Sequence, residues 1–210
     1  MSNPWIKIKL EDYENHMSLP DIKQAQYLSN YLKEITEKYK PDSLAIIGCA
    51  GGNGLENIDS KTVEKVICVD INSEFIIEVE KRFRNSFKNI EFICEDIKSE
   101  KCRFEQVDLI FVGLVFEYVN FSLAIKKLSG FIKPKGILAV VLQLPSENIP
   151  EVSPSPYKSL EVLSEVFSFV PLSKFKEASK EEGFELISEN VAQLESGKEF
   201  CELLFSKARN

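Results

Sequence analysis

A series of short apolar runs, each closed by a glycine, an acid or a proline, constrains this chain more than any other feature. Leu44-Ala45-Ile46-Ile47 ends in glycines, and Val66-Ile67-Cys68-Val69 ends at Asp70. Residues 90–94 and 107–112 follow, and 136–144 is apolar almost throughout before Pro145. Runs this short and uniform read as strands buried on both faces. Between them, Phe75, Ile76, Val79 and Phe83, behind a cap at Asn72 or Ser73, recur at helical spacing, as do Phe121, Ala124, Ile125 and Leu128. Strands alternating with helices predict an α/β fold with a parallel sheet, right-handed crossovers and helices on both faces.

The flanks extend this pattern. Ser18-Leu19-Pro20-Asp21 has the cap, proline and acid of a helix start. Leu28, Tyr31, Leu32, Ile35 and Tyr39 then lie on one helical face until Pro41. Pro145, Pro150, Pro154 and Pro156 make the next stretch a long irregular loop, and such loops are more often functional than filler. A helix from Ser173 to near Gly183 follows, then strands at 184–187 and 200–205 joined by Glu195-Ser196-Gly197-Lys198 as an antiparallel hairpin. The expected organisation is one domain over 1–210: a helical cap segment (1–41), a core (42–144), a lid-like loop (145–171), and a closing helix with its hairpin (172–210).

Composition excludes several function classes. With 26 basic and 33 acidic residues the net charge is −7, a field that disfavours nucleic acid and anionic membrane surfaces as partners. The cysteines (Cys49, Cys68, Cys94, Cys102, Cys201) include no C-x-x-C pair and read as reduced thiols, not metal ligands. Lys7 and Lys9 interrupt the apolar residues at the start, and no run approaches the ~18 residues that span a bilayer. The expectation is a soluble cytoplasmic protein.

Gly48-Cys49-Ala50-Gly51-Gly52-Asn53-Gly54 lies between the first strand and the next helical segment. Such a loop turns sharply and brings main-chain N–H groups close to a ligand. Asp70 at the end of the second strand puts a carboxylate where a bound ribose would lie, with two oxygens for its two hydroxyls. The dinucleotide pattern G-x-G-x-x-G fails, since Asn57 stands where its third glycine belongs and the frame from Gly48 fails at Ala50. No Gly-Lys-Ser/Thr follows either, so this is not a P-loop.

The spacing resembles the first motif of class I S-adenosylmethionine-dependent methyltransferases. Glu95-Asp96-Ile97, residues 107–113 and Phe131-Ile132-Lys133-Pro134-Lys135-Gly136 resemble that family's later motifs in order. The resemblance spans about residues 44–144, and the closing helix and hairpin fit its last strands. It implies a Rossmann-like three-layer α/β/α sandwich, its seven-stranded sheet mostly parallel with an antiparallel last strand, and S-adenosyl-L-methionine as cofactor. Carried over, Gly48, Cys49, Ala50, Gly52, Asn53 and Gly54 wrap the methionine portion. Asp70 with Ile71 takes the ribose, Asp96 and Ile97 take the adenine, and Gly113 faces the methyl group. Ala50 replaces a family glycine. Ile46 replaces the usual acid before the loop, so backbone carbonyls or the N-terminal segment must hold the cofactor's ammonium. More narrowly, residues 5–17 and Phe116-Glu117-Tyr118-Val119 resemble a set of small bacterial methyltransferase-like proteins.

Methyl transfer from a sulfonium needs alignment and exclusion of water more than a strong base, so no obligatory catalytic signature exists. The candidate catalytic residues are His16, the only histidine; Glu117 and Tyr118, just after the fourth strand; and Tyr157 in the proline-rich loop. Gly113-Leu114-Val115-Phe116 lacks the Asp/Asn-Pro-Pro-aromatic signature of nucleic-acid amino-methylating members, which favours a small-molecule acceptor, with a protein as the alternative. Competing functions are a nicotinamide-dependent oxidoreductase and a non-catalytic S-adenosylmethionine-binding protein.

Overall fold

The computed structural model describes residues 3–146 and 149–209. Seven strands form one sheet: β1 (Ser43–Ile47), β2 (Lys65–Asp70), β3 (Asn89–Cys94), β4 (Val107–Gly113), β5 (Ile132–Gln143), β6 (Phe184–Gln193) and β7 (Glu199–Lys207). Their order is β3-β2-β1-β4-β5-β7-β6. The first five run parallel, and β7 inserts antiparallel between β5 and β6. This is the expected Rossmann-like seven-stranded architecture.

Side-chain alternation divides the core in two. Leu44 and Ile46 of β1, Leu109 and Phe111 of β4, and Ala139 and Val141 of β5 pack on one face. Helices α2 (Gln24–Tyr39) and α3 (Ser73–Phe83) cover that face with Leu28, Tyr31, Leu32, Ile35, Ile76 and Val79. Ala45 and Ile47, Ile110 and Val112, and Leu138 and Val140 point the other way. There α4 (Phe121–Ser129) and α5 (Leu172–Glu181) bring Ala124, Ile125, Leu128 and Phe175. At the N-terminal end of the strands, Asp108 accepts from Ser43 N, Ser43 Oγ and Lys133 Nζ, which ties β1, β4 and the start of β5 together.

Several local expectations are corrected. Ser18 does not open a helix; it closes α1 (Leu10–Met17), its N–H donating to Glu14 O. The long helix begins only at Gln24, after Lys23 adopts a left-handed φ of 50° that breaks helical continuity. No α-helix follows the glycine loop. Residues Leu55–Asn57 make a single 3-10 turn, and Asp59 then folds the chain back by accepting from Lys61 N and Thr62 Oγ. Helix α2 already covers this face, with Ser29 Cα set so that a Cβ on Gly54 would lie 3.1 Å away. The Lys133-Pro134-Lys135-Gly136 turn is an irregularity within β5, whose pairing jumps from Val107↔Ile132 to Leu109↔Ile137. Strand β3 is a half-exposed edge, not a strand buried on both faces.

Candidate active site

In a doubly wound sheet, ligands bind beyond the carboxyl ends of the strands, where the strand order reverses. Here the reversal lies between β1 and β4, and a cavity opens there. Gly48 and Ala50 after β1, Asp70 and Ile71 at the end of β2, Asp96 and Ile97 after β3, and Gly113 and Tyr118 after β4 all line it. Residues distant in sequence thus meet because parallel strands deliver their C-terminal ends to one edge.

The glycine loop is shaped by its bonds to β2. The N–H groups of Gly48 and Cys49 both donate to Val69 O, at 2.8 and 3.1 Å. Gly48 has φ +73°, and a Cβ there would lie 2.5 Å from Val115 Cγ2, so only glycine fits without displacing that wall. Ala50 carries a left-handed φ of 46° without glycine's freedom. Its N–H donates to Asp70 Oδ2 at 3.0 Å, while Asn72 N donates to Asp70 Oδ1 at 2.9 Å. Asp70 is 8% exposed, and burial pushes its carboxyl up to about 6 against the opposing pull of the Asn72 and Ala50 N–H groups. Each oxygen keeps a lone pair beyond its backbone bond.

The N-terminal segment roofs this cavity with Asn3, Trp5 and Tyr13. Asn72 caps α3 by accepting from Glu74 N, and its amide donates to Trp5 O and Ile8 O, each at 2.8 Å. Trp5 then meets Tyr13 and Tyr118 edge-on, at ring separations of 5.8 and 5.0 Å. Helix α1 is held over the glycine loop by Arg82, which donates to both Glu14 carboxylate oxygens and to Gly51 O.

A second cavity lies behind Trp5, Tyr13, Leu114 and Tyr118, which wall both. It takes in His16, Met17, Gln24, Gln143, Leu160, Leu163, Phe167 and Lys198. Burial pushes His16 down to about 4, with the Lys198 charge adding to the effect.

The remaining candidates lie elsewhere. Cys49 is buried, its thiol donating to Ala50 O at 3.7 Å. Gly52 and Asn53 border a separate cleft with Glu14 and Arg82, and Gly54 packs against α2. Glu117 lines neither cavity. It is 2% exposed, its Oε1 accepts from Gln143 N at 2.7 Å, and Oε2 has no partner. Burial pushes its carboxyl up to about 7, opposed by the Gln143 N–H. Tyr157 also lines neither; it packs half-buried near Leu160 and Leu163. Among the described residues no group of three or more His, Cys, Asp or Glu could hold a metal ion, and no helix is long and apolar enough to cross a membrane.

Comparison with known proteins adds the following. Residues 45–140 match the family model described as a methyltransferase domain. The N-methyltransferase NodS from Bradyrhizobium japonicum, solved with S-adenosyl-L-homocysteine, superposes with a TM-score of 0.69 at 14% identity, covering 99% of this chain and 100% of that one. Magnesium protoporphyrin IX methyltransferase from Synechocystis, also solved with S-adenosyl-L-homocysteine, gives 0.69 at 11% identity, covering 94% of each. The cyclase SpnF gives 0.68 at 13% identity, covering 90% of this chain and 84% of that one. No curated protein matches the chain in sequence. Those structural likenesses establish the fold, on which one neighbour is named for a different reaction. The segment matched by the family model runs from β1 almost to the end of β5 and carries the glycine loop and Asp70, and over it the chain is similar to the methyltransferase-domain family.

Proposed function

We propose that this protein transfers the methyl group of S-adenosyl-L-methionine to a small-molecule acceptor. The observation that carries this is Asp70, a buried carboxylate whose two oxygens are aimed by backbone N–H groups at the wall of the first cavity, each with a lone pair free for a ribose hydroxyl.

The donor set of the cavity fits the cofactor. Asp96 and Ile97 border the adenine end, and Gly113 with Leu114 borders the reacting end. Ile46 is buried in the core beneath α2, so β1 brings no charge to the ammonium. Glu14 and Arg82 stand beside Gly51 instead, offering a carboxylate for the ammonium and a guanidinium for the carboxylate of the methionine portion. The bound cofactor supplies a methyl group already activated on a sulfonium. The chain's own work is alignment and dryness: the aromatic roof of Trp5, Tyr13 and Tyr118 excludes water, and the shared wall aims an acceptor in the second cavity at the first. His16, neutral and with Nδ1 unpartnered, stands ready to hydrogen-bond the acceptor. A cavity bounded by α1, the segment after β5 and the β6–β7 turn suits a small molecule, not a polymer.

The test is transfer of labelled methyl from S-adenosyl-L-methionine to a metabolite extract freed of protein and nucleic acid. Label in a small product supports the proposal. Tight binding of NAD with no response to S-adenosyl-L-homocysteine would overturn it.

A further inference from the structure

A lysine in a hairpin turn ordinarily keeps its ammonium in water. Lys198 does the opposite: it closes the turn at residues 195–198, yet is 2% exposed and lines the second cavity beside the end of β5. Its Nζ donates to Glu151 O at 2.6 Å and to Gln143 Oε1 at 3.3 Å, both uncharged acceptors. An ammonium has three protons, so one donor is left over, and the nearest counter-charge is the exposed Glu151 carboxylate, which acts on it without a direct ion pair. Among the described residues no carboxylate forms an ion pair with it. His16 lines the same cavity, buried and with its Nδ1 unpartnered. The rest of the lining mixes apolar side chains, Met17, Leu160, Leu163 and Phe167 among them, with Gln24, Ser153 and the exposed Glu151.

Burying a cation against neutral acceptors is costly unless an anion joins it. We infer that the second cavity is the subsite for an acceptor bearing a carboxylate on an apolar body, with the carboxylate paired to Lys198. The inference rests on the methyl-transfer reading above and names the substrate class for it. One cation suits a monoanion; the second charge of a phosphate dianion would stay unpaired in apolar surroundings. The ammonium is positioned by a chain of contacts: Glu117 holds the Gln143 backbone, and the Gln143 amide bridges Glu151 O and Lys198. Burial pushes the Lys198 ammonium down to about 8, with Glu151 opposing, so it stays mostly charged at neutral pH.

The experiment is isothermal titration of the full chain saturated with S-adenosyl-L-homocysteine. The probes are benzoate, phenylacetate and 4-methylpentanoate, each against its own neutral amide. At least one acid is expected to bind about tenfold or more tighter than its amide. Lys198→Met should bring acid and amide within about twofold, while Lys198→Arg should keep the preference. The homocysteine affinity, measured first in each variant, is the folding control, and the wild-type comparison depends on no variant. Equal binding of acids and amides, no acid binding to the loaded protein, or an acid preference that survives in folded Lys198→Met overturns the inference and leaves the methyl-transfer reading standing. Failure of the wild-type chain to bind the homocysteine overturns both.

Discussion

Glu117→Gln separates the electrostatic cost of a buried carboxylate from its hydrogen bond. The carboxyl is held at about 7 against an ordinary 4.5, chiefly by burial. A difference of that size, at about 1.36 kcal/mol per pH unit, costs the ionised folded form about 3 kcal/mol at pH 8 and under about 1 kcal/mol at pH 5. The sign follows from proton uptake. Between the two values the folded state holds a proton the unfolded chain has lost, so stability is highest below 4.5 and falls as pH rises through 7. Glutamine keeps an acceptor for the Gln143 N–H and cannot ionise. It leaves an unpartnered amide where Oε2 now sits, a penalty of about 1–3 kcal/mol that does not depend on pH. Urea unfolding at pH 5, 6, 7 and 8 isolates the ionisation, because that offset is constant and Asp70, His16 and Lys198 titrate alike in both proteins. The variant's stability relative to wild type should rise by about 2–3 kcal/mol from pH 5 to pH 8, a midpoint change of about 1 M urea. Parallel pH profiles would refute the reasoning and place the Glu117 carboxyl in contact with water.

Two further substitutions probe the loop and its roof. Ala50→Gly releases a left-handed residue and should stabilise the fold by about 1 kcal/mol, or a few degrees in Tm; an equal loss would mean that Ala50 is unstrained. Asn72→Ala removes the α3 cap and both bonds to the N-terminal segment, and should cost about 2–3 kcal/mol. Since Trp5 is the only tryptophan, its emission should shift to the red as the roof loosens. An unshifted spectrum would show that Trp5 is held by its aromatic neighbours alone.

The central sheet was legible because each buried strand is written as an unbroken apolar run, and Asp70 because it closes one of them. The helix start was misread because Ser18 and Pro20 carry initiation chemistry, while the break that delays α2 is the backbone angle of Lys23, for which the sequence has no marker. The helix expected after the glycine loop is absent because α2, far earlier in the chain, already occupies that face. Most of the first cavity was legible, since its residues follow strand ends. Cys49, Gly52, Asn53 and Gly54 share the loop without lining that cavity, because turn geometry sends neighbouring residues in different directions. The second cavity was not legible as a unit. His16, Leu114, Gln143 and Lys198 come together only through tertiary packing, and a lysine in a hairpin turn looks in sequence like a solvated one.

The most direct test of the central claim is titration of S-adenosyl-L-homocysteine into wild type and Asp70→Ala at pH 7.5. With Asp70 as the acceptor for both ribose hydroxyls, the wild-type chain should bind, and the variant should lose about 1–3 kcal/mol of affinity. The wild-type affinity should itself weaken as pH falls below about 6, where the carboxyl takes up a proton. Equal affinity in a folded Asp70→Ala would contradict that role and place the cofactor away from β2.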